Sequence, residues 1–362
     1  MNLNTSVLIR AASKPAARQR SNSYRYPLAL SALALALSVV QPARAAWQRV
    51  WGDEFLGSTI DTNNWTFETG TGPPYPGWGN NELEYYTSRP ENAYVSNGVL
   101  NIVARHEAYL GSSYTSAKMT TQGTFSQTYG RFEFRAKLPT GQGYWPALWM
   151  MPLDSVYGTW AASGEIDVME NTGGEPGTVL GTIQYGGESP AETQSFGPEY
   201  NFPAGTSVTG FHVYALEWTN NAISWYVDGQ FFETQTNWWS SGAPYPAPFN
   251  QPFYIIMTLA VGGNFALAPA PSTVFPGYMQ VDYVRVYKWV DTPPLSIALT
   301  ASNGIALSWP YLYPSYFVQQ SADLTATNGW TRVGTIVTNP TNLWNQVVLP
   351  APSATRFYRL TP

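Results

Sequence analysis

Between Trp47 and Lys288 no stretch carries the 3.6-residue period of an amphipathic helix, and this narrows the fold more than any single motif. Short runs of β-branched and aromatic residues follow one another instead, separated by turns. Val99 to Ala104 follows the turn Ser96-Asn97-Gly98. Arg131 to Leu138 alternates charged and apolar residues, the pattern of a half-exposed strand. Tyr214–Trp218 and Ala222–Val227 read as the arms of a hairpin, the second ended by Asp228-Gly229. Phe253 to Leu259 is continuously apolar, as a strand buried on both faces must be, and Met279 to Tyr287 alternates again. Many short strands with regular turns predict an all-β chain of two stacked sheets, a jelly-roll sandwich. The 31 glycines and 29 prolines supply turns, and the 15% aromatic content suits strands as well as the flat apolar faces of sugars.

The two ends read differently. Arg10, Lys14, Arg18, Arg20 and Arg25 precede an apolar run from Pro27 to Val40, and Ala43-Arg44-Ala45 has the small-x-small form of a cleavage site. Residues 1–45 are therefore expected to be a secretory signal peptide, too short in its apolar part to span a bilayer, and the mature protein secreted, periplasmic or on the cell surface with no membrane contact. After Tyr287 the pattern breaks at Val290-Asp291-Thr292-Pro293-Pro294. This divides a sandwich over residues 46–290 from a linker at 291–294 and a small β module at 295–362. The net charge of −5 and the lack of a basic run in the folded part exclude nucleic acid as a partner. With no cysteine and only His106 and His212, thiol catalysis and His- or Cys-based metal sites are excluded too.

Chemistry concentrates in Gly164-Glu165-Ile166-Asp167-Val168-Met169-Glu170-Asn171. Three carboxylates fall within six residues of a chain that is only 11% charged. Glu165 and Asp167, two apart on a strand, share a face, whereas strict alternation turns Glu170 to the other. A β-bulge near Val168 or Met169 returns Glu170 to the acidic face, and bulges are enriched beside active sites. Glycoside hydrolysis needs two carboxyl groups across the scissile bond, about 5–5.5 Å apart for retention of configuration. Four strand steps separate Cα atoms by about 13 Å, and two glutamate side chains leaning inward close that gap. Three like charges on one face also raise the pKa of one group, as a general acid requires.

The segment Gly164–Glu170 resembles the signature of glycoside hydrolase family 16, in its laminarinase-like branch. The resemblance runs through Trp51-Gly52-Asp53-Glu54-Phe55, Gly77-Trp78-Gly79-Asn80-Asn81-Glu82-Leu83, Tyr114–Lys118, Tyr129–Glu133, Gly143–Met150, Phe211–Trp218 and Val281–Tyr287. It implies Glu165 as nucleophile, Asp167 as its helper and Glu170 as acid/base. It implies substrate contacts at Trp145, Trp160, Asn81 and the position of Gln184, with Trp149 either core or cleft. Gln184 stands where the family often has His near the acid/base side, and Gln cannot titrate. No cofactor is needed for catalysis, but a structural Ca²⁺ is implied at Glu54, the Gly98 carbonyl and Asp282. The function so implied is retaining endo-hydrolysis of β-1,3-glucan, laminarin or mixed-linkage β-1,3/1,4-glucan, by a monomer. The alternatives are another polysaccharide such as a galactan, or a non-catalytic glucan-binding protein.

Overall fold

The computed structural model describes residues 9–11, 47–189, 192–289, 295–302, 304–311, 316–323, 329–339, 344–350, 352 and 356–361. Residues 49–288 form one compact unit. It is a jelly-roll β-sandwich. One sheet has the strands Thr178–Gly186, Glu165–Glu170, Tyr144–Pro152, Phe253–Val261 and Lys118–Thr120 as successive neighbours; the other is built around Ile223–Val227, His212–Trp218, Gly130–Lys137, Gly277–Trp289 and Val99–Tyr109. The core between them is apolar and densely aromatic, with Phe132, Phe134, Trp218, Trp225 and Phe253 all fully buried. Burying each such ring contributes roughly 1.5–3 kcal/mol. Without a disulfide, this core supplies the stability.

Local sequence explains the local structure. Gly130–Lys137 is buried at every second residue, as its alternation requires, and Phe253–Val261 is buried at all nine positions. The predicted hairpin forms from His212–Trp218 and Ile223–Val227. Among the described residues, helix is confined to Gly263–Ala266 and a 3₁₀ turn at Pro76–Gly79.

A second unit comprises the described residues from Trp289 onward with Ile9–Ala11 and Trp47–Gln48. Two four-stranded sheets enclose a core of Leu295, Ile305, Leu307, Trp309, Val318, Val347, Tyr358 and Leu360. Trp309 packs inward at the centre of this core. The linker residues 291–294 and the apolar run and cleavage site of the leader lie outside the described residues. Inside the segment expected to be a leader, Ile9–Ala11 pairs with Arg356–Tyr358.

Candidate active site

The strand Glu165–Glu170 lies between Tyr144–Pro152 and Thr178–Gly186. Its register slips once. On one side Leu148 faces Met169 and Trp149 faces Asp167; on the other Thr182 faces Asp167 and Leu180 faces Glu170. Val168 is thus the extra residue of a bulge, and both Val168 and Met169 are buried. This restores Glu170 to the face of Glu165 and Asp167, and all three line one cleft with Trp78, Trp145, Trp149 and Lys118.

Two indoles hold the outer carboxyls. Trp160 Nε1 donates to Glu165 Oε2 at 2.7 Å, and Trp145 Nε1 donates to Glu170 Oε1 at 3.1 Å. Burial, then the charge of Glu170, pushes the Glu165 carboxyl up to about 7, against the pull of the Trp160 and Asp167 hydrogen bonds and of Lys118. Burial, then the charges of Glu170 and Glu165 and a hydrogen bond with Glu165, raises Asp167 well above the usual carboxylate range. Glu170 is raised by burial, and hydrogen bonds from Trp145 and Thr182 moderate that shift. The cleft holds three carboxyls that burial, and for Glu165 and Asp167 mutual charge as well, push upward, an arrangement able to supply an acid and a nucleophile together.

Other expected residues fall differently. Trp149 lines the cleft, its Nε1 donating to Thr258 Oγ1 at 3.2 Å, which places the ring on the cleft side. Asn81 takes a left-handed backbone (φ 59°) and donates through Nδ2 to Asn264 Oδ1 at 2.8 Å. Its neighbours Asn80 and Glu82 line the cleft and Asn81 does not, because the turn carries its side chain toward the Gly263–Ala266 helix. Gln184 pairs with Glu165 across the sheet, whereas Glu170 pairs with Leu180. The expectation that this position serves the acid/base end is therefore corrected: antiparallel register places it beside Glu165.

Pattern reading did not single out Lys118, Trp78 or the pair Glu82 and Glu84. Lys118 is 7% exposed, ion-paired to Glu68 Oε2 at 2.8 Å, and 4.1 and 5.0 Å from the ring centroids of Trp78 and Trp149. This fixes two cleft indoles by cation–π attraction. Its signal in the sequence was a lone cation in a strand that is otherwise apolar or hydroxylated. Glu84 is buried, accepts from the Val261 amide at 2.6 Å, and is raised by burial and by the charge of Glu82.

The calcium set does not come together as side-chain donors. Glu54 receives Arg285 Nε and Nη2 at 2.9 and 2.8 Å and Arg49 Nη1 at 2.5 Å, and Asp282 receives Arg135 Nη1 at 2.6 Å. These guanidinium groups already neutralise both carboxylates, so the side chains do not fit a divalent cation. Among the described residues no group of three or more His, Asp or Glu is placed to hold a metal ion.

Residues 80–285 match the model of glycosyl hydrolases family 16. The chain is 52% identical over 264 residues to glucan endo-1,3-beta-glucosidase A1 of Niallia circulans, covering 68% of this chain but only 39% of that longer protein. It is 43% identical to a beta-glucanase of Rhodothermus marinus, across 68% of this chain and 86% of the relative. The solved laminarinase catalytic domain of Thermotoga maritima superposes with a TM-score of 0.61 at 41% identity, covering 68% of this chain and 99% of that domain.

Proposed function

The chain belongs to glycosyl hydrolases family 16, and from that premise we propose that it is a secreted, retaining endo-hydrolase of β-1,3-glucan, with mixed-linkage β-1,3/1,4-glucan as a second substrate. The observation that carries the chemistry is the bulge at Val168, which sets Glu165, Asp167 and Glu170 on one cleft-facing surface. The substrate reading draws support from the relatives, which are named for endo-1,3-β-glucosidase, β-glucanase and laminarinase activity.

In this reading Glu165 attacks the anomeric carbon while Glu170 protonates the departing glycosidic oxygen, leaving a covalent glycosyl ester. Glu170, now ionised, takes a proton from water, and the water displaces Glu165 with net retention. Asp167 donates its proton as a hydrogen bond to Glu165, which steadies the carboxylate before it attacks and as it leaves the ester. Trp145 and Trp149 offer ring faces to the pyranose CH groups.

Hydrolysis of a panel of laminarin, lichenan and agarose, followed by reducing-end release, tests the substrate class. Laminarin should be cleaved and agarose spared, and Glu165→Gln should abolish release. Proton NMR early in the reaction should show the β-anomer first. Initial α-anomer overturns the two-step mechanism.

A further inference from the structure

The bulge that makes the cleft has a second support on the far side of the sandwich. Trp225 belongs to the strand Ile223–Val227 of the opposite sheet and is fully buried, yet its Nε1 donates at 3.0 Å to the backbone oxygen of Asp167, the residue just before the bulge. Carbonyls in a regular sheet lie near the sheet plane and bond to neighbouring strands. This one accepts from a core side chain. A buried carbonyl turned out of the ladder costs about 1–3 kcal/mol unless it finds a donor, and the indole provides it.

The strand beside the bulge makes room for that indole. Gly181 sits between Thr182, which pairs with Asp167, and Leu180, which pairs with Glu170; it is the residue opposite the extra one. A Cβ at Gly181 would lie 2.2 Å from Trp225 Cδ1 and 2.4 Å from its Nε1. Any larger residue there displaces the ring from Asp167. Sequence position 181, the indole N–H and the slipped register thus form one device.

We propose that Trp225, seated in the gap left by Gly181, is a positioning residue that locks the Val168 bulge and thereby aims Glu170 relative to Glu165. It touches neither substrate nor reacting atoms. Loss of its N–H lets the segment Asp167–Glu170 relax toward regular alternation, which turns Glu170 away from the cleft. The proposal rests on the reading of Glu170 as acid/base, and its signature follows from that role. A misaimed acid slows departure of a sugar hydroxyl far more than departure of a dinitrophenolate, which leaves without a proton.

The experiment replaces Trp225 in the full chain by β-(3-benzothienyl)alanine, which keeps the shape and removes only the N–H, with Trp225→Phe and Gly181→Ala alongside. Steady-state rates are measured on laminarin and on a dinitrophenyl β-laminaribioside, with Glu170→Gln as reference. The kcat on laminarin should fall roughly ten- to a hundredfold, the scale of a misplaced catalytic group, with KM nearly unchanged. On the activated glycoside the bond-breaking step should lose threefold or less. Added azide, which needs no base, should accelerate turnover of the aryl glycoside in the variant as in Glu170→Gln. Equal losses on both substrates, or no loss in the benzothienyl variant, overturn the proposal. If Glu170→Gln itself loses equally on both, the acid/base assignment fails instead, and the positioning role falls with it.

Discussion

At Glu165 the requirements of stability and of catalysis conflict. Its carboxyl is pushed from 4.5 up to about 7, first by burial and then by Glu170. The unfolded chain gives up this proton at lower pH than the folded one, so the site destabilises the fold progressively as pH rises from about 4.5 through 7, and not below. Glu165→Gln should therefore abolish hydrolysis and yet stabilise the protein at pH 8, by on the order of 1–3 kcal/mol, with no gain at pH 4. Urea unfolding midpoints at the two pH values check this; equal effects at both would remove the titration argument. The indole donors make separable predictions. The Trp160 hydrogen bond lowers Glu165, so Trp160→Phe should raise that group and move the acid limb of kcat/KM to higher pH. The Trp145 hydrogen bond lowers Glu170, so Trp145→Phe should move the alkaline limb to higher pH. A pH profile with the limbs unmoved in either variant would show that its indole bond does not tune the carboxyl.

At the scale of the strand, one residue of register decides whether the cleft has an acid at all. Deleting Val168 should remove the bulge yet keep all three carboxyls on the cleft face, because Glu165-Ile166-Asp167-Met169-Glu170 then alternates plainly. The deletion variant should fold and keep more than about a tenth of wild-type kcat; a folded variant without activity would contradict the register argument. Such a bulge is legible in sequence because three acids at 165, 167 and 170 cannot share a face without it. The hairpin of Tyr214–Trp218 with Ala222–Val227 and the doubly buried strand Phe253–Val261 are legible for the same reason, since period and turn chemistry are local properties. Long-range partners are not. Nothing in Trp225 distinguishes it from any core indole until the opposing sheet brings Asp167 and Gly181 to it. Lys118 is not singled out by pattern, because its partners Glu68, Trp78 and Trp149 come from other segments. Asn81 and Gln184 were placed by motif position, whereas turn geometry and register decide where their side chains go.

At the scale of the whole molecule, two hydrophobic cores close separately. One holds residues from Phe55 to Val286 and the other residues from Leu295 to Leu360. Every group placed in the cleft lies within residues 49–288, the unit that holds the first core. A chain spanning residues 46–291 should therefore fold with a single cooperative transition and hydrolyse soluble laminarin within about twofold of a chain spanning 46–362. The smaller unit has a different dependence. One of its two sheets is ordered Ile9–Ala11, Arg356–Thr361, Phe317–Ser321 and Thr331–Arg332. Removal of residues 1–45 would delete the first of these and leave Arg356–Thr361 as an edge, where unpaired backbone groups invite another strand. The chain 46–362 should thus show a second, lower melting transition that is absent from 46–291, and hydrogen exchange should be fastest along Arg356–Thr361 within that unit. If the smaller unit holds insoluble glucan, its removal should slow attack on curdlan particles while sparing soluble laminarin, because tethering raises local concentration only at a surface. Loss of activity on the soluble polymer, or aggregation of 46–291, would mean that the sandwich core is not self-sufficient, against the separate closure of its apolar residues.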